Sequence, residues 1–212
     1  MRTRKDAWRL GVVLFEDFEL LDVCGPVEMF ALAERRFDIS LIGPQAGPVR
    51  SAQGPSLMAD LGYGEAGTVD IVLVPGGIGT RRLVEDEGFI GWLTGWASRG
   101  EGPYVTSVCT GAGVLARAGL LNGYPATSNK FAFDWARSQS DQVQWVRSAR
   151  WVANGRRWTS SGISAGIDMA LALIAELYGD EMASRVATAA EYVWNRDPTV
   201  DPFAGVTLAA DH

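Results

Sequence analysis

The chain has 212 residues, 47% of them hydrophobic and 21% charged, with a formal net charge of −6. Such a length and balance suit one compact α/β domain with a sizeable core. The acidic charge, with no Lys/Arg cluster, excludes a phosphate footprint for nucleic acid, and no apolar run is long enough to span a membrane.

In chain order, Arg2, Arg4 and Lys5 come first and read as a short solvated tail, with no apolar segment behind them to make a signal peptide. The apolar run 10–15 predicts a buried strand, followed by an acidic turn at Glu16, Asp17 and Glu19. Leu20, Leu21, Asp22, Val23 and Cys24 lead to Gly25-Pro26 and a helix from Val27 to about Glu34, with Pro26 near its first turn. Residues 37–42 predict a second strand, 49–63 a hairpin or edge strands, and 69–74 a third buried strand entering Pro75-Gly76-Gly77. Short helices over 80–86 and 87–98 precede a strand that ends abruptly at Cys109. Beyond it, Thr110, Gly111 and Gly113 open a helix with Val114, Leu115 and Ala118 on one face. A short strand at 126–129 enters a helix over 131–137, and strand pieces near Gln144, Arg150 and Arg157 flank a turn at Asn154-Gly155. A long helix runs from Ile163 to Tyr178, and Asp180 caps a last one to about Tyr192. Strands alternating with helices predict a mostly parallel sheet covered on both faces. No repeat, low-complexity tract or linker interrupts the pattern, so 8–195 reads as a single domain, with 1–7 and 196–212 as terminal extensions.

Cysteine usage narrows the chemistry. Cys24 and Cys109 lie in unrelated contexts and do not resemble a disulfide framework, so a reducing cytoplasm is the expected setting. The one histidine, His212, ends the chain and reads as a frayed terminus, which excludes a Cys–His dyad or a histidine zinc site in the body. Cys109, between strand end and helix start, forms a nucleophile elbow in which the helix N-terminus favours thiolate over thiol. The bland alternative is a small core cysteine. Gly76 and Gly77 permit closely spaced backbone N–H groups to point into a pocket, or else form a plain turn. Asp22, an acid in an apolar run, reads either as a helix cap or as a carboxyl group raised by desolvation to carry a proton. Glu16, Asp17 and Glu19 occupy a more solvated turn. Thr110 can bond a carboxylate or a substrate, or merely satisfy the helix start, and Ile163 offers a backbone carbonyl or an apolar wall. Cys24, with no elbow around it, is expected to be structural, and the tryptophans at 92, 96, 135, 145, 151 and 158 to be core or interface.

Together, Leu21-Asp22 with Gly25-Pro26, Val74-Pro75-Gly76-Gly77, Val105-Thr106-Ser107-Val108-Cys109-Thr110-Gly111, and Ser161-Gly162-Ile163-Ser164-Ala165-Gly166-Ile167-Asp168 resemble the ThiJ/PfpI superfamily over residues 8–195. Within it, the chain is similar to the isocyanide (isonitrile) hydratases. The resemblance implies a flavodoxin-like three-layer sandwich, a homodimer, and hydration of an isocyanide to an N-substituted formamide without metal or organic cofactor. It implies Cys109 as nucleophile, Asp22 as proton donor and then activator of water, and Thr110 as the group orienting Asp22. Gly76, Gly77, Ile163 and Asn129 would border a small-molecule substrate. The chain departs from the hydratases at Thr127-Ser128-Asn129-Lys130, where they carry Thr-Thr-His-Trp, and at Ser160-Ser161-Gly162, where they carry glycines. Asn129 cannot act as a general base, which counts against protease or glyoxalase-like chemistry. The competing readings are a redox-responsive or chaperone-like protein with an oxidisable Cys109, and, more weakly, a ligand-sensing module or a glyoxalase-like enzyme.

Overall fold

The computed structural model describes residues 7–98 and 102–206. The basic run near the N-terminus and His212 lie outside them. The first half holds β1 (Trp8–Val13), α1 (Leu20–Leu32), β2 (Phe37–Gly43), β3 (Gly47–Arg50), β4 (Ser56–Ala59) and β5 (Leu61–Gly62). Next come β6 (Ile71–Val74), α2 (Thr80–Leu83), α3 (Glu87–Ala97), β7 (Tyr104–Ser107) and α4 (Gly111–Arg117). The chain continues through β8 (Pro125–Ala126), α5 (Phe133–Arg137), β9 (Gln144–Trp145), β10 (Trp151–Asn154), β11 (Arg157–Ser160), α6 (Ala165–Tyr178) and α7 (Asp180–Ala189). Among the described residues no helix is long and apolar enough to cross a membrane.

A seven-stranded sheet forms in the order β10-β11-β7-β6-β1-β2-β5, parallel throughout except for β10. The central strands are apolar and buried along their length, as parallel strands covered on both faces must be. Helices α1, α6 and α7 pack on one another, and α4 packs against α2, α5 and β6. Trp96 of α3 crosses β1 where Gly11 leaves room, since a Cβ there would lie 2.5 Å from the indole. Register decides where the site forms. Val74, Ser107 and Thr159 lie side by side, so the turns after β6, β7 and β11 emerge together. The sheet and its flanking helices make the expected α/β sandwich, and β3–β4 is the expected hairpin, with β5 on the sheet edge.

Two expected helix starts differ. Instead of opening near Pro26, α1 begins at Leu20 and holds Pro26 inside it. An internal proline loses a backbone bond and costs about 3 kcal/mol. Packing offsets that cost: Gly25 makes room for the Ile167 side chain, and Gly166 for the Pro26 ring, so α1 and α6 lie tightly together. Asp22 is therefore in the first helical turn and is not a cap. Similarly, Asp180 is the first residue of α7, preceded by Gly179 at φ 87° with no side-chain cap. Cys24 also departs from expectation, because it is exposed on α1 and plays no part in the core.

Buried polar groups bind the segment after α7 to the body. Arg150 donates from Nε and lies 2.7 Å from Asp168 Oδ2 through Nη2 as well. The other Asp168 oxygen accepts from Tyr192 Oη at 3.1 Å and Asn195 N at 3.0 Å. Lys130 Nζ donates to Thr127 Oγ1 and to the Ala149 carbonyl, and lies 3.5 Å from Asp201. Burial pulls the Lys130 ammonium down from 10.5 to about 8, against the opposing pull of Asp201. An unfolded lysine keeps its proton up to its ordinary value, so between about pH 8 and 10.5 the unfolded state binds more protons than the folded one. Stability from this group therefore rises with pH across that window. Urea midpoints measured through it should climb in the wild type and lose that slope in Lys130→Met.

Candidate active site

Cys109 follows β7 and Val108 and stands just before α4, in a turn too sharp for ordinary backbone. Its φ of 58° lies in the left-handed region, which costs a non-glycine residue of order 1–3 kcal/mol. Surrounding bonds hold it there. Cys109 N–H is shared between the carbonyls of Ser160 at 3.2 Å and Ser161 at 3.3 Å. The Cys109 carbonyl accepts from Ser128 Oγ at 2.8 Å. From below, Gly76 approaches so closely that a Cβ would sit 2.8 Å from Cys109 Cβ and 2.6 Å from Thr110 N. Only glycine fits.

Asp22 enters the same space from the first turn of α1. Its carboxyl group is wholly buried, and Oδ2 accepts from Gly76 N–H at 2.8 Å. Oδ1 has no hydrogen-bond partner, and the carboxyl group and the Cys109 thiol stand close enough to act on each other electrostatically. Burial pushes Asp22 well above the usual carboxylate range, with the Gly76 N–H pulling the other way and Glu19 adding to the rise. Cys109 is pushed up as well, first by burial and then by the like charge of Asp22, while the Thr110 N–H opposes this. The expected preference for thiolate at the helix start is thus reversed. Desolvation beside an acid outweighs a helix of only seven residues. Both groups are thus pushed toward their protonated forms.

Thr110 does not reach Asp22, the contact its expected orienting role calls for. Its Oγ1 accepts from Gly77 N–H at 3.1 Å and lies 3.2 Å from Thr80 Oγ1. Thr80 in turn donates to the Gly77 carbonyl at 2.6 Å. Both glycine N–H groups thus bond to the protein, one to Asp22 and one to Thr110, and are not aimed at a substrate atom as expected. Gly77 has φ 126°, and a Cβ on it would strike the turn after β1 at 2.4 Å from Asp17 O. Asn129 is brought to the sulfur through Gly162: a Cβ on Gly162 would sit 2.2 Å from Asn129 Nδ2 and 3.0 Å from Cys109 Sγ. Asn129 Oδ1 accepts from Ala132 N at 3.0 Å ahead of α5. Ile163 follows Gly162 and is 39% exposed, with its carbonyl accepting from Gly166 N–H at 3.4 Å. Glu19, set aside in the sequence as solvated, also acts on the site, as do Ser128 and Gly162; Thr80 stands here too, and nothing in its sequence surroundings announces it. Among the described residues no group of His, Cys, Asp or Glu side chains could hold a metal ion.

Comparison with known proteins agrees with this architecture. The model of the DJ-1/PfpI family matches residues 9–176. An isonitrile hydratase from Pseudomonas putida is 35% identical over 190 residues, covering 88% of this chain and 79% of that protein. The HTH-type transcriptional regulator GbdR of Pseudomonas aeruginosa is 32% identical over 84% of this chain, which spans only 49% of the regulator. A solved ThiJ/PfpI family protein from Pseudomonas syringae superposes with a TM-score of 0.79 at 26% identity, covering 89% of this chain and 76% of that one.

Because the Asp22 charge helps to raise the Cys109 thiol, Asp22→Asn should lower its pKa. Thiolate ultraviolet absorbance followed against pH in a Cys24→Ser background measures this. An unchanged or higher value would mean that the two groups do not share the proton.

Proposed function

The chain belongs to the DJ-1/PfpI family, and we propose that it is a cofactor-free hydratase converting an isocyanide to an N-substituted formamide. The observation that carries this reading is the buried Asp22 carboxyl group, fixed by Gly76 N–H beside Cys109, with its other oxygen left without a hydrogen-bond partner. An isocyanide carbon needs a nucleophile and a proton together, and these two side chains offer both without a histidine.

The cycle starts once one proton has left the pair, with Cys109 as thiolate and Asp22 as acid. Sulfur attacks the terminal carbon as Asp22 gives that carbon its proton, leaving a thioimidate on Cys109 and a carboxylate on Asp22. The carboxylate then takes a proton from water as the water oxygen adds to the same carbon. Asp22 passes this proton to nitrogen and accepts the hydroxyl proton as the C–S bond breaks. Formamide leaves, and thiolate and acid are restored. The left-handed turn acts as the nucleophile elbow, presenting sulfur clear of the sheet. Thr110 and Thr80 lock the Gly76-Gly77 turn and so act on Asp22 through the backbone. Gly77, Ile163 and Asn129 are taken to wall the small-molecule pocket.

Purified protein offered a simple isocyanide should yield formamide. Cys109→Ala should abolish turnover, and Asp22→Asn should lower it by about 10²–10⁴-fold, the range for a lost general acid. No turnover, together with ready peroxide oxidation of Cys109 in both the wild type and Asp22→Asn, would replace this reading with a redox role.

A further inference from the structure

We infer that Arg81 forms an anion-binding subsite beside Cys109, and that the substrate is an isocyanide that also carries a carboxylate. The isocyanide part rests on the proposed hydratase activity; the anion subsite does not.

Arg81 lies on α2, half-buried, with its guanidinium carbon 3.8 Å from the centre of the Trp135 ring. Such stacking fixes the plane of the group and leaves its N–H edges free to bind. Nη1 donates to Thr80 Oγ1 at 3.0 Å, and that oxygen is 3.2 Å from Oγ1 of Thr110, the neighbour of Cys109. The guanidinium is thus two hydrogen bonds from the residue after the thiol. No other donor of Arg81 has a partner among the described residues, and no carboxylate there pairs with it.

Three other cations are committed elsewhere. Arg82 pairs with Asp17 at 2.7 Å, Arg150 with Asp168, and Lys130 with Asp201. The remaining charges facing the thiol are Asp22 and Glu19, both acidic. An anionic substrate would be repelled from such a site without a cation, whereas a neutral one has no use for Arg81. Burial lowers the guanidinium's hold on its proton and the nearby sulfur raises it, which agrees with the closeness of the two groups. A single planar guanidinium edge matches a singly charged planar carboxylate better than a phosphate dianion. Trp135 is accordingly more than the core or interface residue that its type suggests.

The test compares alkylation of Cys109 by iodoacetate and by iodoacetamide, in a Cys24→Ser background, with site occupancy read by mass spectrometry. The ratio of the two rates cancels thiol ionisation and access, so a purely structural role of Arg81 would not move it. The wild type should favour iodoacetate, and Arg81→Gln should reduce the ratio about tenfold, the worth of one charge-assisted hydrogen bond. Arg81→Lys should restore it in part. An equal ratio in wild type and Arg81→Gln, or no preference for iodoacetate in the wild type, overturns the subsite. Turnover of isocyanoacetate and its ethyl ester separates the two ideas. If neither is hydrated while the alkylation ratio holds, the hydratase reading fails and the subsite stands. If both are hydrated alike and Arg81→Gln changes neither, the subsite fails and the hydratase reading stands.

Discussion

A carboxyl group on the first turn of α1 reaches across 54 residues of sequence to the N–H of Gly76, and much else in the structure is arranged so that it can. The bond requires glycine at 76, because any Cβ would push into the backbone of Thr110 and the side chain of Cys109. It requires α1 to start at Leu20, and hence a proline inside that helix. It also requires α1 to lie tightly on α6, which Gly25, Pro26 and Gly166 allow. The glycine and the internal proline each cost stability alone, and the tight packing offsets it. They coexist because they meet at a single point, where the ends of β6 and β7 bring two turns together.

Much of this was legible from residue order and some was not. An apolar strand ending at Cys109, followed by small residues and an apolar helix face, marks the turn whatever the tertiary context. The Pro75-Gly76-Gly77 turn is marked in the same way. The start of α1 was hidden because Pro26 carries a strong local signal for a first helical turn, and only packing against α6 overrides it. The partner of Thr110 was hidden for a related reason. A hydroxyl bonds whatever lies nearest, and the Gly77 N–H comes from another loop. The ionisation of Cys109 failed as an expectation because sequence shows a helix start but not the burial around it.

The loop 127–130 is the part least visible in advance. Residues 126–129 read as a short strand, with Asn129 expected to border a substrate, yet all four residues from Thr127 to Lys130 are engaged in other ways. Ser128 holds the Cys109 carbonyl, Asn129 stands over Gly162, and Lys130 binds Thr127 and faces Asp201. A buried ammonium gives little net stability, because its desolvation cancels most of its attraction to a carboxylate. What it gives is a fixed position. The loop beside the sulfur and the segment after α7 are held to the same cation, so neither shifts without the other.

The anchored segment also bears on how this chain behaves among its own copies. Pro198 places its carbonyl 2.8 Å from Arg150 N and 3.4 Å from Trp151 N, covering the start of the outermost strand, β10. The opposite border of the sheet ends in β5, only two residues long. Short strands and covering loops are how sheets avoid recruiting further strands from solution. Loosening the contacts at Asp168 or Asp201 would therefore bare a strand edge while the rest of the sheet stayed folded. Intermolecular strand pairing and precipitation would then begin from a nearly native molecule, ahead of any global unfolding.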